Sequence, residues 1–127
     1  MSKKTILIVD DQYEIRQLVQ MTLEFGDYEF HEAENGQQAL ALAKVIQPDL
    51  VILDVMMPGE IDGYQVCENL KLESNENIPH VILLTALGQL KNMQEGVHVG
   101  ADDYLIKPFS PLELINVVKN ISHFRDQ

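Results

Sequence analysis

Three short stretches of the chain are apolar without alternation, Ile6 to Val9, Leu50 to Leu53 and Val81 to Leu84, each bounded by polar or proline residues. Runs of this length and character suit strands covered on both faces, as in a parallel sheet. Two further stretches predict weaker strands. Tyr28 to Ala33 mixes apolar with charged residues as a sheet edge does, and Tyr104 to Ile106 is shorter. Between them the apolar positions recur at helical spacing: Ile15, Leu18, Val19 and Thr22; Ala39, Leu42, Ala43 and Ile46; Val66 and Leu70; Leu90, Met93 and Val97. Gly88 and Gly96 flank or interrupt the fourth of these segments and weaken its prediction. A last helix is marked most clearly, because Ser110 can cap it, Pro111 suits its first turn and Glu113 completes a capping box, with Leu114, Ile115, Val118 and Ile121 as its apolar face. Strand and helix alternate strictly, which predicts an α/β fold: a five-stranded parallel sheet with helices on both faces.

The 127 residues suffice for one domain, expected over 1–127 with a core from about residue 5 to about 124. No linker, internal repeat or low-complexity tract divides them. A chain that is 46% hydrophobic and 23% charged is expected to fold. Nine Lys plus Arg against twenty Asp plus Glu leave a net charge of −11, which repels phosphodiester backbones and anionic lipid and argues against direct nucleic-acid binding. No apolar run approaches the roughly 18 residues of a membrane span, so neither a signal peptide nor membrane insertion is expected. The single cysteine, Cys67, can form neither an internal disulfide nor a cysteine-rich metal site, and a reducing, cytoplasmic location follows. Cys67 itself reads as a small buried hydrophobe, and His31, His80, His98 and His123 lack metal-ligand spacing.

In an open parallel sheet, ligands bind beyond the carboxyl ends of the strands, so the residues that follow each strand carry the chemistry. Asp10 and Asp11 follow the first, Asp54 ends the third, Thr85 ends the fourth, and Lys107 with Pro108 follows the fifth. Taken alone, Asp11 reads equally as a helix N-cap. Taken together, three carboxylates brought to about 4 Å of one another would repel by roughly 4 kcal/mol per pair at an effective dielectric near 20. One lysine cannot neutralise them. Either a carboxylate holds a proton or a cation binds, and an oxygen-rich, thiol-free site suits Mg²⁺.

Several motifs coincide: Ile8-Val9-Asp10-Asp11, Leu53-Asp54-Val55-Met56-Met57-Pro58-Gly59, Leu84-Thr85-Ala86, and Gly100-Ala101-Asp102-Asp103-Tyr104-Leu105-Ile106-Lys107-Pro108-Phe109. In these the chain resembles the receiver domains of two-component response regulators, close in form to single-domain chemotaxis-type regulators, over nearly its whole length. The resemblance implies a flavodoxin-like sheet of order 2-1-3-4-5. It implies that Asp54 accepts a phosphoryl group from a sensor histidine kinase or histidine phosphotransfer protein, that Asp10, Asp11, Asp54 and the backbone carbonyl of Met56 hold Mg²⁺, and that Thr85 and Lys107 contact the phosphoryl oxygens. A cis Lys107-Pro108 bond and a switch involving Thr85 and Tyr104 are further implications, with Tyr104 alternatively just half-buried packing. It implies too that the domain assists its own phosphorylation and dephosphorylation and is not otherwise an enzyme. It would act as a monomer or weak phosphorylation-dependent dimer, and, standing alone, would pass its output to a downstream protein target.

The segment Pro58-Gly59-Glu60-Ile61-Asp62-Gly63 is one residue longer than the family's usual loop. In similar receivers the residues two beyond the acceptor and two beyond the threonine flank the path of attacking water. Here they are Met56 and Leu87, neither of which can orient a water, and a slow hydrolysis of the phosphoryl group follows.

Three other readings compete. A flavodoxin-like electron carrier needs phosphate-binding donors after the first strand, where Asp10-Asp11-Gln12 would instead repel phosphate. A Mg²⁺-dependent phosphatase needs a cap and a substrate pocket, for which the chain has no insertion. A docking module without phosphorylation would not need the full set of acceptor, metal ligands and lysine.

Overall fold

In the computed structural model, residues 3–73, 78–86 and 98–121 are described. Their elements run β1 (Lys4–Val9), α1 (Tyr13–Leu23), β2 (Tyr28–Ala33), α2 (Gly36–Ile46), β3 (Leu50–Asp54), α3 (Gly63–Glu73), β4 (His80–Ala86), β5 (Asp103–Lys107) and α4 (Pro111–Lys119). The helical segment expected around Leu90, Met93 and Val97 lies outside the described residues, as do Leu87 and His123.

All five strands pair in parallel in the order β2-β1-β3-β4-β5. The stretch read as edge-like, β2, is one edge, and the shorter β5 is the other, as the implied order requires. The continuous apolar strands take the middle because they need cover on both faces. Alternate residues then serve two cores. Ile6, Ile8, Leu50, Ile52, Ile82 and Leu84 face α1 and α4, meeting Val19, Leu23, Leu114 and Val118. Leu7, Val9, Val51, Leu53, Val81 and Leu83 face α2 and α3, meeting Ala39, Ala43, Val66 and Leu70.

The helix ends have local causes. At α4 the Ser110 hydroxyl accepts from the Glu113 amide at 3.1 Å while the Glu113 carboxylate accepts from the Ser110 amide at 2.9 Å, and Pro111 opens the helix. At α3 Asp62 and Gln65 exchange the same pair of bonds at 2.9 Å each. At α2 the Asn35 side chain accepts from the Gln38 amide at 2.9 Å. No helix among the described residues is long and apolar enough to cross a membrane.

Candidate functional site

The order 2-1-3-4-5 reverses direction between β1 and β3, so a crevice forms beyond the carboxyl ends of these two strands. Asp10 and Asp11 stand on one side of it and Asp54 on the other. One oxygen from each carboxylate lies within 4.8 Å of the others, and among the described residues this is the one acidic cluster that could hold a metal ion. Asp10 and Asp54 are buried, whereas Asp11 is exposed and opens the cluster to solvent.

Each buried carboxylate is held from named directions. Asp10 Oδ1 accepts from the Gln12 amide at 2.9 Å, and Asp10 Oδ2 accepts from Lys107 Nζ at 2.7 Å. Asp54 Oδ1 accepts from the Met56 amide at 3.3 Å and lies 3.4 Å from Lys107 Nζ. The cap expected as an alternative for Asp11 is not made. Gln12 occupies the N-cap of α1 without a side-chain cap bond, and it is Asp10 whose carboxylate takes an amide there.

Register brings the remaining candidates alongside. Asp54 pairs with Leu84, Thr85 with Ile106 and Ala86 with Lys107, so Thr85 and Lys107 stand just past Asp54 on neighbouring strands. Thr85 is buried, and the Lys107–Pro108 bond is cis. Tyr104 sits on β5 opposite Leu83 and is 40% exposed. Met56 follows β3 and is 63% exposed.

The longer loop is accommodated without disturbing the strand end. Gly63 brings the first turn of α3 against the backbone of β3, its amide donating to the Val55 carbonyl at 3.0 Å. A β-carbon on Gly63 would press on the Asp54 carbonyl oxygen and approach Val55 Cα at 2.7 Å. Ile61 covers the start of α2, where a β-carbon on Gly36 would lie 2.5 Å from Ile61 Cγ1.

Burial, and then the neighbouring Asp10 charge, push the Asp54 carboxyl up to about 6, although Lys107 and the Met56 amide pull it down. One lysine therefore leaves the cluster under-neutralised. A hard cation suits three carboxylate oxygens in this state, and such a donor set favours Mg²⁺ over softer metals.

Two charged groups of the structure have roles that the sequence reading did not assign. Arg16, on α1, is buried: its Nη1 donates to the Asp10 carbonyl at 2.7 Å and its Nε to Glu32 Oε1 at 2.8 Å. A signal existed, since Arg16 shares the buried stripe of α1 with Val19 and Leu23, but an arginine between Glu14 and Gln17 reads as solvent-facing. Asp102, at the opposite end of the sheet, accepts from Lys71 Nζ at 2.8 Å and from the Val81 amide at 2.7 Å, with His80 Nδ1 at 3.5 Å. Burial alone would raise its carboxyl, yet Lys71, the Val81 amide and His80 together hold it below the ordinary range. Cys67 is fully buried with Sγ 3.6 Å from the Val99 carbonyl, and burial pushes its thiol up to about 11, so it packs as an inert small side chain.

Comparison with known proteins agrees with this geometry. Residues 6–119 match the model of the response regulator receiver domain, and the chain belongs to that family. It is 48% identical over 119 residues to the phosphate regulon transcriptional regulatory protein PhoB of Pseudomonas aeruginosa, covering 93% of this chain and 51% of that protein. It is likewise 48% identical over 113 residues to the probable transcriptional regulator ycf27 of Cyanophora paradoxa, covering 89% of this chain and 46% of that protein. The chain thus spans about half the length of these curated relatives. Among solved structures, the chemotaxis protein CheY4 of Vibrio cholerae superposes with a TM-score of 0.85 at 33% identity, covering 94% of this chain and 99% of that one.

Proposed function

We propose that this receiver accepts a phosphoryl group on Asp54, from a histidine kinase or histidine phosphotransfer protein, and signals through a phosphorylation-dependent change in its protein-binding surface. The observation that carries this reading is the placement of Asp54: a buried carboxylate at the end of the central strand, facing Asp10 and Asp11 with Lys107 3.4 Å away. A carboxylate whose titration lies near 6 is mostly ionised at neutral pH and can act as a nucleophile. One Asp54 oxygen forms the new bond to phosphorus as the phosphorus–nitrogen bond of the donor breaks. The imidazole leaves with the electron pair and recovers a proton.

Asp10, Asp11 and Asp54, with the Met56 carbonyl, would hold Mg²⁺, which supplies positive charge to the phosphoryl oxygens. Lys107 adds a second positive charge from β5, and Thr85 offers a hydroxyl one strand over. The domain contributes these groups to its own phosphorylation and dephosphorylation and turns over no external substrate. The competing electron carrier is disfavoured because the loop after β1 presents carboxylates where a cofactor phosphate would need donors. A net charge of −11 argues against contact between this stretch and nucleic acid, and output is proposed to pass through protein contacts.

Intact mass measured after incubation with acetyl phosphate and Mg²⁺ should show one added phosphoryl group, absent in Asp54→Ala. Equal labelling of that variant would overturn the assignment.

A further inference from the structure

An arginine at a buried position of a helix is costly unless its charge and donors are met, and an apolar residue would fill the same volume without that cost. Arg16 holds such a position beside Val19 and Leu23. Its guanidinium reaches across two strand ends, to the Asp10 carbonyl at the end of β1 and to Glu32 on β2, and stands 5.6 Å from the Tyr13 ring.

These contacts complete the restraint of one peptide unit. The Asp10 amide donates to the Ala33 carbonyl at 3.2 Å, its carboxylate is held by the Gln12 amide and Lys107, and its carbonyl is held by Arg16. Because a peptide is planar, fixing the direction of the Asp10 carbonyl also fixes the amide and Cα of Asp11. Asp11 is the exposed member of the cluster, and the backbone sets the Cα position from which its carboxylate reaches the other two.

We propose that Arg16, braced by Glu32, is a positioning residue that aims Asp11 into the acidic cluster, and so tightens cation binding although its own charge opposes a cation. The inference rests on the Mg²⁺ reading of the cluster. The opposed signs make it testable. If Arg16 acted only as a charge, Arg16→Gln would bind Mg²⁺ more tightly and Arg16→Lys would bind it unchanged. If it only supported α1, both variants would melt earlier with affinity unaltered.

The experiment is calorimetric titration of the whole chain with Mg²⁺, well below the melting temperature, with melting followed separately in EDTA. Both variants should bind roughly 10-fold more weakly, the scale seen when partners that orient metal ligands are removed. Unchanged or tighter binding in either folded variant would overturn the proposal. Should Arg16→Gln fail to fold, Arg16→Lys, which keeps the charge, decides alone. A parent chain that binds no Mg²⁺ would instead overturn the metal reading, and this inference with it.

Discussion

Asp54 is asked to be both a buried carboxylate and an anion, and its surroundings only half satisfy it. Lys107 divides its charge between two carboxylates, 2.7 Å from Asp10 Oδ2 and 3.4 Å from Asp54 Oδ1. The group is raised from an ordinary 3.8 to about 6, which makes its ionised form a cost to folding in the absence of a cation. The stability associated with its protonated form is fully present below about pH 4 and is lost as pH rises through about 6. Asp54→Asn, which resembles the protonated state, should therefore be more stable than the parent in EDTA at pH 8. Two pH units correspond to at most about 3 kcal/mol, and the gap should close below about pH 4. Chemical denaturation across that range would show it, and a variant less stable than the parent at pH 8 would contradict it.

Among the elements, the join between β3 and α3 carries the site, because the loop that follows Asp54 must leave the strand end undistorted despite its extra residue. Asp62 absorbs the length by starting α3 with a reciprocal pair of bonds to Gln65, and Gly63 lets the helix rest directly on the strand backbone. Replacing Gly63 with Ala sets two effects against each other. Alanine in a helix gains about 0.5–1 kcal/mol, but its β-carbon would strike the Asp54 carbonyl and Val55 Cα, rigid backbone that can yield only by moving, at about 1–3 kcal/mol. The clash should win, lowering the denaturation midpoint; an unchanged or raised midpoint would contradict it.

At this same scale the legibility of the sequence has a physical boundary. The apolar runs revealed the three inner strands, and the capping residues Ser110 and Glu113 revealed the start of α4, because burial and capping impose residue types on consecutive or closely spaced positions. Asp10, Asp11, Asp54, Thr85 and Lys107 were legible because each ends or follows a strand, where an open parallel sheet places its site. Arg16 and Asp102 were not, since their partners are carbonyls, amides and side chains from other elements that no spacing along the chain announces.

For the molecule as a whole, the proposed signal must travel from Asp54, at the end of β3, through the ends of β4 and β5. Thr85 pairs with Ile106 and Tyr104 with Leu83, so a shift of Thr85 toward a phosphoryl oxygen is felt on the adjacent strand β5 and at the partly exposed Tyr104 ring. A ligand or modification changes a conformation only through contacts that differ between two states, and a contact from Thr85 to a phosphoryl oxygen would supply that difference. Amide shifts on phosphorylation should extend to Thr85, Tyr104 and Ile106 and into α4. Shifts confined to the loop at 54–63 would contradict this route.

The proposed signalling route depends on which carboxylate carries the phosphoryl group, since Asp10, Asp11 and Asp54 share one cluster. Borohydride reduces an aspartyl phosphate to homoserine, and fragment sequencing then locates it. After labelling with acetyl phosphate and Mg²⁺, homoserine is predicted at position 54 with Asp10 and Asp11 intact. Homoserine at position 10 or 11, or at none of the three, would contradict the account.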